Sequence, residues 1–325
     1  MDISIIVCCY NSEKLLPQTL LHLGKQKCRK ELNYEVVLVN NNSNDNTVKT
    51  ARELWDSLHV NVPLIIVDEP TPGLAHARKK GVSVAKSDLI IFCDDDNWLD
   101  ENYIELSIDF MNNHLDVGAL GGQSEGVLEA QEPVWWKDKA YGYAVGKQSD
   151  KKGDITQNGF LWGAGIVIRK SILLRLFQSG FESLLLGRTE NKLASGDDSE
   201  ICKWVIIMGY KLWYLDDLKF KHYIVKKRLT DDYVLKMFEG HYDSRKVLGF
   251  YNEFIIFLNS RNIKINKNLL FEGILDFIKA RIKPNEINRL IAQFKIGNKL
   301  KVHSIGYEIF RVYTNLKETK SQRIK

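Results

Sequence analysis

Leu89-Ile90-Ile91-Phe92-Cys93-Asp94-Asp95-Asp96 runs an apolar stretch straight into three carboxylates, with no turn residue between. The apolar part predicts a strand buried on both faces, as in a parallel sheet. Carboxylates directly beyond such a strand do nothing for packing. In open α/β sheets ligands bind outside the carboxyl ends of the strands. Carboxylates there commonly hold a divalent ion against phosphate, because Mg²⁺ and Mn²⁺ prefer oxygen ligands. The competing explanation is a cap, from Asp96 or Asn97, on a helix beginning near Asp100. One acidic residue would suffice for that.

Working outward, the first half of the chain alternates strand-like and helix-like segments at α/β spacing. Ile3 to Cys9 is an apolar strand, and Ser12 is placed to cap a helix carrying Leu16, Leu20 and Leu23 on one face. Glu35 to Val39 predicts a second strand, followed by the polar run Asn40-Asn41-Asn42-Ser43-Asn44-Asp45 and a helix over Thr47 to Leu58. Leu64 to Val67 is a third strand, and Pro70, Pro72 and Gly73 break the chain before a helix reaching Lys86. Three strand ends thus gather polar groups on one sheet edge: Tyr10-Asn11, Asn40 to Asp45, and Asp94 to Asp96. No G-x-G-x-x-G follows the first strand and no P-loop signature occurs, which disfavours a dinucleotide-binding Rossmann domain or a P-loop NTPase.

The second half is less regular. Val117 to Gln123 reads as a strand, and Trp135-Trp136 sits in a polar connection, costly unless the pair covers something. Gly163-Ala164-Gly165 runs into the strand-like Ile166 to Arg169, and Asp197-Asp198 opens a helix over Ile201 to Met208. Lys211 to Leu215 returns as a strand. From Thr230 the pattern is helical, with stripes at Val234, Met237 and Phe238, at Phe254, Ile255 and Leu258, and over Leu269 to Ile282.

The 325 residues suffice for one large α/β domain with an appendage. A hydrophobic fraction of 44% with 27% charged residues is that of a soluble globular protein. The net charge of +5 gives no reason to expect a nucleic-acid partner, and the basic end (Lys317, Lys320, Arg323, Lys325) reads as a solvated terminus before it reads as a hold on anionic lipid. The five cysteines have no metal-ligand spacing; Cys8, Cys9 and Cys93 read as small apolar side chains in a reducing compartment. With no leader-like start and no apolar run long enough to span a bilayer, a cytoplasmic location is expected.

These pieces, in this order, resemble the family 2 inverting nucleotide-sugar glycosyltransferases. The resemblance runs from about Ile3 to His222. It rests on Ile5 to Asn11, Val39 to Asp45, Gly73 with Ala77-Arg78 and Gly81, Asp94-Asp95-Asp96, Trp162 to Gly165, and Gly196 to Glu200. Each is weak alone; their order and spacing carry the likeness. It implies an α/β fold of GT-A type, a mostly parallel Rossmann-like sheet flanked by helices. The implied layout is a transferase domain over 1–225, with its nucleotide-sugar half at 1–123 and its acceptor and catalytic half at 124–225, then a helical extension with the basic tail over 226–325.

The resemblance also assigns residues. Tyr10, Asn11, Asn41, Arg78, Asp94 and Asp95 fall at donor nucleotide positions. At the position of Asn41 the family usually carries an aspartate accepting from uracil N3–H; an asparagine carbonyl also accepts, without charge assistance, so the donor base stays open. Asp94 and Asp96 form the D-x-D motif, with Asp96 the direct ligand of Mn²⁺ or Mg²⁺, and His222 matches a histidine that completes the metal site in some members. Asp198 falls at the general base and Asp197 beside it, where like charge raises a carboxyl pKa. Trp162 and Gly163 flank the acceptor, and Arg188 lies in a loop where it would meet phosphate of a lipid-diphosphate acceptor.

The expected reaction is metal-dependent transfer of a sugar from a nucleoside diphosphate, UDP first, to a hydroxyl of a glycan or lipid-linked acceptor. The expected setting is surface polysaccharide or glycolipid assembly, with peripheral contact at the inner face of the membrane. Two alternatives remain at this point. A sugar-1-phosphate nucleotidyltransferase would want a Gly-rich, basic loop after the first strand, where Cys9-Tyr10-Asn11-Ser12 stands. A catalytically silent glycan-binding module would not need both acidic clusters.

Overall fold

The computed structural model describes residues 1–185, 195–260 and 305–322. Arg188, the Leu269 to Ile282 stripe, Arg323 and Lys325 lie outside the described residues. The chain begins with strand β1 (Ile3–Cys9), helix α1 (Leu16–Gly24), β2 (Tyr34–Asn40), α2 (Thr47–Ser57), β3 (Leu64–Asp68), α3 (Leu74–Val84) and β4 (Leu89–Asp94). These strands pair in parallel in the spatial order β3-β2-β1-β4. The chain therefore builds outward from β1 on one side, then crosses to place β4 on the other. That reversal of direction falls between β1 and β4, where α/β sheets open a ligand crevice.

Alternation along the strands divides the core into two layers. Ile3, Ile5, Val7 and Cys9 of β1 join Val36 and Leu38 of β2 and Ile91 and Cys93 of β4 under α1 and α2. Ile6, Val37, Val39, Ile90 and Phe92 face the other way, onto Ala77 and Val82 of α3. Gly81 lets α3 lie close to the sheet: a Cβ there would stand 2.4 Å from Cγ2 of Ile6. Cys9 and Cys93 are fully buried and all five cysteines are free; burial pushes the Cys8 thiol up to about 12.

The sheet continues through β5 (Asn97–Leu99), α4 (Tyr103–Asn113), β6 (Val117–Leu128), α5 (Trp136–Lys139), β7 (Gly153–Asp154), β8 (Val167–Arg169), α6 (Lys170–Gln178), α7 (Asp197–Ile207) and β9 (Lys211–Ile224). β8 enters antiparallel between β4 and β6, β9 runs parallel to β6, and β5 and β7 add antiparallel to β9. One competing explanation fails here and one expectation is corrected. The residues after the acidic run form strand β5 and α4 begins at Tyr103, so neither Asp96 nor Asn97 caps a helix. Ser12 does not cap α1 either; its hydroxyl is drawn to Asp95 instead.

Beyond β9 lie α8 (Asp231–Ser260) and α9 (Ile305–Gln322). Trp136 packs with Tyr143, Ile224, Val234 and Met237, so the tryptophan pair covers the root of α8. Further along α8, Tyr251 and Phe254 share a core with Trp204 of α7 and with Ile309, Val312, Tyr313 and Leu316 of α9.

Candidate active site

The loops after β1 and β2 are stapled together at the sheet edge. Asn11 sits in the left-handed region (φ 53°), which asparagine tolerates better than most residues. Its backbone N–H donates to Ser43 Oγ at 3.0 Å, and its side-chain oxygen accepts from Asn44 N–H at 2.9 Å. Ser12 N–H donates to Thr47 Oγ1 at 2.8 Å. Tyr10 is exposed beside this staple.

Asn41 is buried and holds the turn between β3 and α3. Its amide hydrogens go to the carbonyl oxygens of Glu69 (2.9 Å) and Thr71 (2.7 Å), and its Oδ1 accepts from Gly73 N–H at 2.8 Å. A backbone N–H on Oδ1 fixes which end of the amide is oxygen. Asn41 is therefore first a clamp on residues 69–73, with one lone pair of Oδ1 left over for a base.

The three aspartates after β4 face different partners. Asp95 accepts a short hydrogen bond from Ser12 Oγ, and its backbone carbonyl accepts from Thr19 Oγ1 at 2.7 Å. It locks the acidic run to the β1–α1 loop. Burial, then the nearby Asp96, pushes its carboxyl up to about 7. Asp94, whose neighbour in β1 is Cys8, lies within electrostatic reach of Arg78. Asp96 is buried; its Oδ2 meets Nε2 of His222 at 3.3 Å and Nη1 of Arg228 at 3.1 Å, and its Oδ1 accepts from Asn97 Nδ2 at 3.1 Å. The β5–β9 pairing sets Asn97 opposite His222 and so delivers the histidine to the acidic run.

Asp96 and His222 fit a divalent cation. Ligands about 2.1 Å from a Mg²⁺-type ion on neighbouring octahedral corners stand roughly 3 Å apart, close to the observed separation. Among the described residues no group of three or more His, Cys, Asp or Glu side chains stands together as a metal site. Asp96 and His222 would thus supply two ligands, and non-protein oxygens would complete the shell, as is usual for Mg²⁺.

On the other side of β4 the second acidic pair meets Arg78. Arg78 of α3 is buried, lies 5.1 Å over the Phe92 ring, and donates from Nη1 to Asp197 Oδ2 at 2.5 Å. Burial opposes its charge, but Asp197, Asp94 and Asp198 outweigh that and move its pKa upward. Asp197 and Asp198 occupy the first helical turn of α7. Asp198 Oδ2 accepts from Gly163 N–H at 2.7 Å and Oδ1 from Ser199 N–H at 2.6 Å. Its carboxyl is raised by burial and by the Asp197 charge, against the pull of Arg78 and the two backbone donors. Gly163 is required by this approach: a Cβ there would stand 2.8 Å from Arg78 Nη2 and 3.1 Å from Asp198 Cβ. Trp162, partly exposed, is held by its backbone N–H to Gln148 Oε1 at 2.8 Å.

Two residues escaped the sequence reading. Ser12 reads as a helix cap in the sequence, and nothing local marks it as the partner of Asp95. Arg228 ends the basic run Lys226-Lys227-Arg228, which looks like any solvated cluster until β9 carries it to Asp96.

The Glycosyl transferase family 2 profile matches residues 4–177, just over half of the chain. The chain belongs to glycosyl transferase family 2. An uncharacterized glycosyltransferase of Bacillus subtilis, YfnE, is 33% identical over 97 residues, 30% of this chain and 23% of YfnE. The poly(ribitol-phosphate) beta-N-acetylglucosaminyltransferase TarS of Staphylococcus aureus is 28% identical over 114 residues, 35% of this chain and 19% of TarS. These matches thus span less than a quarter of either relative. The crystal structure of S. aureus TarS 1–349 in complex with UDP-GlcNAc superposes with a TM-score of 0.54 at 16% identity, covering 99% of this chain and 92% of that one. That likeness establishes the fold, of GT-A type. The family match ends before Asp197, so the roles of the second acidic pair rest on geometry. No helix among the described residues is long and apolar enough to cross a membrane.

Proposed function

We propose that this family 2 chain transfers a sugar from a UDP-sugar to an acceptor hydroxyl with inversion at the anomeric carbon. The observation that carries the proposal is the carboxylate of Asp198, oriented by Gly163 and Ser199 N–H groups and joined through Asp197 and Arg78 to the acidic end of β4. Single displacement needs one base to take the acceptor proton as the hydroxyl attacks from the face opposite the diphosphate. Asp198 has the fixed direction and raised proton affinity of such a base. Asp197 is spent on Arg78, which leaves its neighbour to do the chemistry.

On the donor side, Tyr10, Asn11 and Asn41 border the base and ribose, and Arg78 and Asp94 border the diphosphate. A divalent ion held by Asp96 and His222 would offset negative charge gathering on the β-phosphate as the nucleotide departs. Trp162 offers a flat apolar face to the acceptor sugar. The uridine donor is supported by the TarS complexes with UDP and UDP-GlcNAc, and a polymeric acceptor by the poly(ribitol-phosphate) beta-N-acetylglucosaminyltransferase activity for which TarS is named. Work at the inner face of the membrane on a lipid-linked acceptor belongs to the same proposal.

The test is turnover of a panel of UDP-sugars with Mn²⁺, with Mg²⁺ and with chelator, the product anomer being read by NMR. Inverted product that requires a divalent ion is expected. Retained configuration, or equal turnover in chelator, would overturn the mechanism. Binding of glycan without turnover of any donor would favour a silent binding module.

A further inference from the structure

Arg228 lies in the short turn Lys226–Arg228 between β9 and α8. Its side chain is 9% exposed, lies 5.5 Å from the Tyr143 ring and 5.8 Å from that of Tyr233, and places Nη1 3.1 Å from Oδ2 of Asp96. That oxygen is the one His222 also approaches. Arg228 Nε and His222 Nδ1 are both buried without a hydrogen-bond partner. A cation is thus already installed on the carboxylate best placed to ligate a metal, and an unpartnered guanidinium N–H and an unpartnered imidazole nitrogen lie beside it.

We propose that Arg228 is the resident counter-ion of Asp96 and couples metal binding to diphosphate binding. This rests on the reading above, in which the site takes a divalent ion and a nucleoside diphosphate. A metal arriving alone meets the guanidinium at close range and draws on the same carboxylate oxygen. A buried guanidinium that loses its carboxylate is costly, since its charge is left uncompensated. A diphosphate removes both penalties. Its oxygens give the metal further ligands and give the guanidinium a planar, bidentate partner. Metal and nucleotide should therefore each bind weakly alone and strengthen one another by the same factor, as linkage requires. Tyr143 and Tyr233 keep the guanidinium poised by cation–π contact while its anionic partner changes.

Calorimetric titration of Mn²⁺ with and without UDP tests this, in the parent protein and in Arg228→Met, whose unbranched side chain still packs beside the two tyrosine rings. In the parent, UDP should tighten Mn²⁺ by about tenfold or more, within the usual range of coupling between sites. In Arg228→Met, Mn²⁺ alone should bind more tightly than in the parent, and the enhancement by UDP should shrink severalfold, leaving the part due to direct ligation of the metal by the diphosphate. Arg228→Lys, which keeps the charge, should recover most of the enhancement. Thermal melting checks that each variant is folded, and Arg228→Gln gives the same comparison should the methionine variant not fold. An unchanged enhancement in the neutral variants, or weaker Mn²⁺ binding without UDP, would overturn the coupling role. A parent protein that binds neither UDP nor Mn²⁺ would instead overturn the functional reading itself, before any substitution is compared.

Discussion

Arg78 Nη1 stands 2.5 Å from Asp197 Oδ2, and this buried pair ties helix α3 to the first turn of α7. α3 immediately precedes the acidic strand β4; α7 presents Asp198. The ion pair is thus the physical link between the helix that leads into β4 and the helix that carries Asp198. Removing one member of a buried pair typically costs about 3–5 kcal/mol, because the survivor keeps an uncompensated charge. Arg78→Met and Asp197→Leu should each destabilise on that scale in urea unfolding, and the double variant should lose clearly less than the sum. Additive losses would mean that the two charges do not depend on each other.

Asp198→Asn should keep UDP affinity within a few-fold of the parent and lower kcat by about 10²–10⁴, the usual worth of a positioned general base. The amide preserves the size of the side chain and one acceptor for the Gly163 or Ser199 N–H. Steady-state kinetics with direct UDP binding separates the two effects. Loss of UDP binding in step with kcat would make Asp198 a structural cap.

The pH profile follows from the raised Asp198 carboxyl. A base must be ionised, and its ionised fraction falls as pH drops through its pKa. The acid limb of kcat should therefore lie above the ordinary aspartate range. Asp197→Asn removes the like charge and releases Arg78 to act on Asp198; both changes favour the ionised form. That variant should move the acid limb to lower pH, and a limb that stays put would assign it to another group.

Much of this was legible in the sequence because period and polarity agree in the first half. Apolar runs at Ile3 to Cys9 and Leu89 to Cys93 could only be buried strands, and strand ends in a parallel sheet share an edge. Gly163 and Asp197-Asp198 were placed by order alone, and the fold brings them into contact. The side-chain partners were not legible. The family resemblance makes Asn41 a base contact, and its clamp on Glu69, Thr71 and Gly73 depends on how the β3–α3 turn folds back. Arg228 reaches Asp96 only because β5 and β9 pair in one register.

Glu200 offers a test of the helical region. Its buried carboxylate accepts from Tyr251 Oη at 2.6 Å, from Ser183 Oγ at 2.5 Å and from Leu184 N–H, joining α7 to α8 and to residues 183–185. Glu200→Gln turns one acceptor into a donor that faces other donors. Leaving a buried donor unsatisfied costs about 1–3 kcal/mol, so urea unfolding should shift by that amount. No shift would mean that the carboxylate's partners rearrange freely.

Asn41→Asp tests the clamp against simple base recognition. As a reader of uracil N3–H, a carboxylate would accept more strongly than an amide and sharpen uridine preference. The geometry argues the other way. Both amide hydrogens of Asn41 point at backbone carbonyl oxygens, and a carboxylate would set oxygen against oxygen there. The 69–73 turn should lose its two donors, and with it the seat of Gly73 at the start of α3, the helix that carries Arg78. The expected result is weaker binding of every nucleoside diphosphate, with melting temperature lowered, rather than a gain for UDP. Competition by UDP, dTDP, GDP and CDP against a labelled donor measures this. A variant that binds UDP more tightly while rejecting GDP and CDP would show that the base contact outweighs the clamp.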